Sequence, residues 1–169
     1  AAWLDDQERL QPRSVDSLRQ EAAGLLERHG AEAVEPIRAL YSREVLRTAL
    51  GDVLDAVELP AIPGILSQLM EITIDAALSA VRAGLDAEAD VPDYEFAVIA
   101  MGRLGGAEIG YFSDADVMFV HRPLVDDLDS EASGRLTAHV KKVALALTSA
   151  LGGTGPASLE IDIDADLRP

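Results

Sequence analysis

The chain has no cysteine in its 169 residues, which excludes disulfides and thiolate metal sites and fits a reducing, cytoplasmic setting. No apolar run reaches the length of a membrane span, so a soluble globular protein is expected. The opening AAWLDDQERL is acidic and lacks the apolar stretch of a signal peptide. It also lacks an initiating methionine, which points to a processed product or a piece of a longer chain. Positive charge is scarce: 14 Lys and Arg stand against 30 Asp and Glu, for a net charge of −16. That balance argues against nucleic acid or an anionic membrane surface as the main partner. The acidic excess itself reads as solubility or adaptation to salt. There is no internal repeat and no low-complexity tract. His29, His121 and His139 are scattered, with no Cys or His at ligand spacing, and are expected at the surface or in packing roles. What is there is length enough for one good core, or for a helical lobe plus a small sheet lobe, with 49% apolar residues to fill it.

The first half reads as helices. Residues 1–13 form a lead-in from which Trp3 and Leu4 can dock on the body. Ser14 is an N-cap, Val15, Leu18, Ala22, Leu25 and Leu26 follow at helical spacing, and His29-Gly30 ends the run. A second helix is expected from Pro36, with Ile37, Leu40, Tyr41 and Leu46, to a stop near Gly51. ELPAIPG then breaks the pattern. The third helix, residues 65–85, is the longest and most apolar and is expected to be the central packing element. Arg38, Arg43, Arg47 and Arg82 make either a basic face for a phosphate or solvated helix flanks.

DAEADVPD, residues 86–93, is the candidate boundary between a helical segment, residues 1–90, and a sheet-bearing core, residues 91–169. An apolar strand over 96–101, a glycine turn and a second strand over 115–120 follow. Gly105 and Gly106 let the backbone approach a ligand, since they lack Cβ and tolerate positive φ. The amides opening the next helical turn make an anion site. The turn lacks the Gly-Lys-Ser/Thr end of the P-loop, and its glycines miss the Rossmann spacing. Asp114 and Asp116, two apart on extended chain, share one face. Paired carboxylates suit a hard divalent cation, so a phosphate cradle beside them suggests metal-assisted phosphoryl or nucleotidyl transfer. Residues 121–133 read as a surface loop whose acids cap a helix over 130–151, closed by Gly152-Gly153. In the last strand, 159–166, Leu159, Ile161 and Ile163 alternate with Glu160, Asp162, Asp164 and Asp166. A row of carboxylates repels itself, so either a cation lies opposite or the face is simply exposed.

At GRLGGAEIGYFSDADVMFV the pattern becomes specific. It resembles the nucleotidyltransferase superfamily of the polymerase β type, with a glycine turn, Asp-x-Asp on a strand and a third acid on a neighbouring strand. Within it the chain is similar to the glutamine synthetase adenylyltransferase family. That family carries Gly-Lys/Arg-Leu-Gly-Gly-x-Glu, then Ser-Asp-x-Asp, matched by Gly102 to Gly106, Glu108 and Ser113 to Asp116. Its second signature, Asp-x-x-Leu-Arg-Pro, is matched by Asp164, Leu167, Arg168 and Pro169. SREVLRTALGDVLD is similar to the region upstream of a catalytic domain in the family, so the resemblance covers the chain from about residue 35. Ala115 departs from the larger aliphatic usual between the aspartates. The chain also stops at Pro169 where family members continue, so an incomplete nucleotide pocket is expected.

The resemblance implies an α+β fold: an N-terminal helical segment, then a small polymerase-β-like nucleotidyltransferase sheet with flanking helices. It implies two Mg²⁺ held by Asp114, Asp116 and Asp164, the last at the metal that activates the attacking oxygen. Spacing alone leaves Asp162 and Asp166 open as substitutes. Gly105, Gly106 and Ser113 would hold the phosphates of ATP, with Arg103 neutralising them; Ser113 equally suits a turn cap. Glu108 organises the turn, Arg168 binds phosphate or pairs with the acid row, and Tyr94 and Tyr111 are structural. The implied reaction transfers AMP from ATP to a tyrosine of glutamine synthetase, with a PII-type signalling protein as a further partner and no nucleic acid or membrane. The wording GYFSDADVMFVH is similar to the adenylylating half. The alternatives are the half that removes AMP by phosphorolysis, or a non-catalytic nucleotide-binding module.

Overall fold

A computed structural model of the chain describes residues 10–153 and 159–165. The expectations for Trp3, Leu4, Asp166, Leu167, Arg168 and Pro169 lie outside the described residues. Helix α1 (Val15–His29) starts where Ser14, in extended conformation, accepts the Ser17 N–H at 3.3 Å, and it stops at Gly30 with φ +54°. Both ends fall where the cap and glycine signals put them. Helix α2 (Val34–Val53) begins before the expected Pro36, because a 3-10 turn over Gly30–Ala33 runs straight into it. Helix α3 (Ile62–Leu85) also starts early: Pro63 sits in the first turn, where a missing N–H costs nothing, so the end of ELPAIPG opens this helix, while α2 has already stopped at Val53.

Helix α3 packs against α1 and α2 and, beyond the one-turn helix α4 (Gly102–Gly105), against α5 (Ser130–Leu151). The stretch Leu59–Leu85 is, by length and composition alone, apolar enough to cross a membrane, against the sequence expectation. Within the fold 67% of its apolar window is buried, as a central core helix requires. The arginines do not form one phosphate face: Arg43 is a half-solvated flank, Arg47 and Arg82 are partly buried, and each of these three is ion-paired. Arg43 and Arg47 donate to the buried Glu44 at 3.0 and 2.9 Å, and Arg13 bridges Glu44 and Glu21. Arg38 is buried, and Arg82 donates to Asp86 at 2.8 Å while lying 4.7 Å over the Tyr94 ring.

Strand β1 (Tyr94–Ala100) pairs antiparallel with β2 (Ala115–Pro123), from Tyr94 opposite Pro123 to Ala100 opposite Val117. HRP therefore extends the second strand instead of opening a loop. Helix α5 runs over the expected span and is capped by Asp129, which accepts the Ala132 N–H at 2.7 Å. The last strand is far shorter than its alternation suggested: β3 (Ile163–Asp164) has two residues, parallel to β2, giving the order β1-β2-β3. Ile161 and Ile163 are buried as expected, whereas Leu159 is 40% exposed and does not join the core. The fold is thus α+β, a helical segment followed by a small mixed sheet. One core runs through both parts, joining Leu69 and Met70 of α3 to Val117, Leu147 and Ile161.

Candidate metal centre

Strand β2 aims its first residues by simple alternation. Ala115 and Val117 are fully buried, which turns Asp114 and Asp116 to the other face. Parallel pairing then sets Asp164 directly beside Asp116, and the Ala115 N–H donates to the Asp162 carbonyl at 2.8 Å to hold that register. One carboxylate oxygen from each of Asp114, Asp116 and Asp164 lies within 4.8 Å of the other two. Oxygens bound to one Mg²⁺ at its usual bond length lie about 3 to about 4.2 Å apart, so the side chains would have to close in by rotation to share an ion. The donors are all hard oxygens, as Mg²⁺ prefers. Asp162 is exposed and lines a neighbouring cavity instead.

The glycine turn works differently from the expectation. Gly105 and Gly106 do not adopt positive φ; the left-handed positions are Gly102 at +49° and Ala107 at +56°. A Cβ on Gly105 would sit 2.7 Å from the Ala100 carbonyl oxygen, so the close approach there is to the end of β1. The Gly105 and Gly106 amides donate to Met101 and Gly102 carbonyls at 2.7 and 3.1 Å, within the turn itself. Gly102 is the residue that spacing alone did not single out. Its Cβ would fall 2.3 Å from Asp116 Oδ2, so any other residue there would displace that carboxylate. The signal was present in the motif, but its partner lies across the sheet.

Leu104 and Ile109, both 1% exposed, pin the two ends of the turn into the core. Ser113 Oγ accepts the Gly110 N–H at 2.8 Å, the turn-capping role, and its hydroxyl proton remains available to donate. Arg103 approaches Asp114 Oδ1 at 3.5 Å; with both partners largely exposed, such a pair contributes little and leaves the guanidinium adjustable. Tyr111 donates to Asp52 at 3.1 Å, and burial with that carboxylate pushes its phenol up to about 12. Tyr94 donates to Asp86 at 2.7 Å and is pushed up to about 12 by burial, then by Asp86.

Beside Asp114 opens a cavity of about 480 Å³ lined by Tyr41, Phe112, Ser113, Glu160 and Asp162. Phe112 is 97% exposed, an apolar ring standing in solvent two residues before the first acid. Its place between Gly110 and Ser113, ahead of the strand alternation, was the only hint in the sequence.

A family model described as glutamate-ammonia ligase adenylyltransferase matches residues 1–169. Three relatives carry the name bifunctional glutamine synthetase adenylyltransferase/adenylyl-removing enzyme. The one from Leifsonia xyli is 40% identical over 99% of this chain and 16% of its own length. The one from Mycobacterium leprae is 36% identical over 81% of this chain and 13% of its own. The one from Bifidobacterium longum is 34% identical over 99% and 16%. The chain therefore spans roughly a sixth of the length of the curated relatives it matches.

Proposed function

Because the chain belongs to the glutamate-ammonia ligase adenylyltransferase family, we propose that residues 91–169 are a nucleotidyltransferase core behind a helical segment, residues 1–90, and that it serves the adenylylating half in the cytoplasm. The substrates are ATP and a tyrosine of glutamine synthetase, the protein that its relatives' printed name gives as their target. A PII-type signalling protein is the regulatory partner, with no nucleic acid or membrane involved. The observation that carries this reading is the convergence of Asp114, Asp116 and Asp164 from two strands.

Bound Mg²⁺ supplies charge neutralisation at the phosphates and activation of the attacking oxygen. Asp114 and Asp116 would hold the ions, and Asp164 would join them at the one that activates the attacking oxygen. Arg103, 60% exposed and only loosely paired, turns toward the triphosphate. Ser113 donates its free hydroxyl proton to a phosphate oxygen. Gly105 and Gly106 shape the turn that presents both, and their own amides stay engaged with Met101 and Gly102. The attacking oxygen comes from the partner. Burial pushes Tyr41 up to about 12, and Tyr94 and Tyr111 are held equally high, so these phenols stay protonated.

Mn²⁺ titration of this chain followed by electron paramagnetic resonance tests the site directly. Wild type is expected to bind, and Asp114→Asn with Asp116→Asn to lose binding; equal binding by the double variant refutes the ligand assignment. In the full-length protein the same pair is expected to abolish labelling of glutamine synthetase by ATP. The relatives' name also covers an adenylyl-removing activity, which is the second reading. ADP release from adenylylated glutamine synthetase and phosphate, lost with these aspartates, would favour it.

A further inference from the structure

Leu159 marks the start of the segment that carries the third acid, and helix α2 grips both of its backbone polar groups. Ser42 Oγ accepts the Leu159 N–H at 2.6 Å, and Arg38 Nη2 donates to the Leu159 carbonyl at 3.3 Å. The two holders are themselves joined, since the Ser42 hydroxyl donates to the Arg38 carbonyl at 2.9 Å. Arg38 Nη1 donates to Glu35 at 3.1 Å, with the Arg38 side chain 4% exposed and that of Glu35 53%. A Cβ on Gly153 would lie 3.3 Å from Arg38 Nη1, so the end of α5 closes over the same guanidinium. Among the described residues Arg38 Nε is buried with no hydrogen-bond partner.

A buried guanidinium with an unmet donor is costly, and an apolar side chain of the same length would pack the site more favourably. Packing therefore does not explain Arg38. The strand it leads to explains it better. Strand β3 has only two ladder residues, too few to fix a register by themselves. A slip of one residue would turn the buried Ile163 outward and carry Asp164 away from Asp116. From Leu159 the chain is tied in steps: Ile161 N–H to the Leu151 carbonyl at 3.1 Å, then the Asp162 carbonyl to Ala115 N–H at 2.8 Å.

We propose that Arg38 and Ser42 are positioning residues: from helix α2 they fix the register of β3 and thereby set the Asp164 carboxylate against Asp114 and Asp116. The proposal rests on reading those acids as the metal site. It makes the helical segment a working part of that site, not only its support.

The test uses Arg38→Met and Ser42→Ala in this chain, with Ser42→Thr as the conservative rescue. Arg38→Met removes one donor each from the half-exposed Glu35 and the Leu159 carbonyl and keeps the length of the buried stem, so the fold is expected to survive, as circular dichroism would show. Amide exchange by NMR reads the register without any metal. Protection of the Ala115 amide, bonded across to Asp162, is expected to fall at least tenfold. The Met101 amide, bonded to Asp116 on the β1 side, keeps its wild-type rate. The Mn²⁺ dissociation constant is expected to rise about tenfold, the lower range seen when groups that orient metal ligands are removed, and Ser42→Thr to restore it. Unchanged Ala115 protection, or unchanged Mn²⁺ affinity beside lost protection, overturns the proposal. If wild type takes up no Mn²⁺, the metal reading fails by itself, and the Ala115 exchange rate still decides the register claim.

Discussion

Gly102 shows how much of the site rests on an atom that is missing. Its φ of +49° already strains any L side chain, and the place of a Cβ is filled by Asp116 Oδ2 at 2.3 Å. Gly102→Ala should therefore cost about 2 kcal/mol or more, of which the left-handed backbone alone accounts for about 1–2. For a chain of this size that is a fall in Tm of about 4–8 °C by thermal melting. Because the clash is with one carboxylate, part of the loss should be recovered when Gly102→Ala is made in an Asp116→Ala background. A strictly additive double-mutant cycle would refute this account. The sequence marked the glycine signature but favoured Gly105 and Gly106, since spacing shows where a turn is and not what stands opposite it. The three aspartates were legible residue by residue. Spacing alone left Asp162 open and the family signature pointed to Asp164, which the parallel register sets beside Asp116.

Among the elements, helix ends marked by a capping residue were legible and strand ends were not. Caps are local chemistry, written in a few consecutive residues. Ser14 and Asp129 each accept an amide three residues on, as their types predict. Asp129→Ala should cost about 1 kcal/mol in urea unfolding, while Asp126→Ala, on the exposed loop, should stay within about 0.5. Equal effects of the two would remove the cap from the account. Strand length depends instead on a partner. β2 runs on to Pro123 because β1 begins at Tyr94 opposite it, and β3 stops at two residues although its alternation continues on either side. Pro63 misled for a related reason: a proline breaks a helix from inside yet suits its first turn, and only the fold shows which applies.

At the scale of the whole molecule, Asp86 ties three distant parts together. It accepts hydrogen bonds from Arg82 at 2.8 Å, Tyr94 at 2.7 Å and His139 at 2.7 Å, joining the end of α3 to the start of β1 and to α5. Burial pushes its carboxyl up, but the hydrogen bonds from His139, Tyr94 and Arg82 outweigh it and hold the group below its ordinary 3.8. A carboxyl lowered in the folded state stabilises the fold above its unfolded value and loses that contribution as pH falls through the folded one. Glu21, held below 4.5 against its own burial by Arg13 and Arg43, acts in the same sense. Stability should therefore drop steeply below about pH 4. Asp86→Asn should be less stable than wild type at neutral pH, with the gap narrowing as wild type is acidified past that point. A gap in urea midpoint that stays constant from pH 7 to about pH 2.5 would count against this linkage.

The sequence by itself determined the composition class, the helices with their caps, the α+β order of elements and the acids themselves, because each is encoded by neighbours along the chain. The tertiary structure alone decided which glycine makes room for Asp116, how short the last strand is, and that Arg38 turns inward to donate to the Leu159 carbonyl. Those features depend on residues far apart in the chain that meet only when the common core under α3, β2 and α5 is closed.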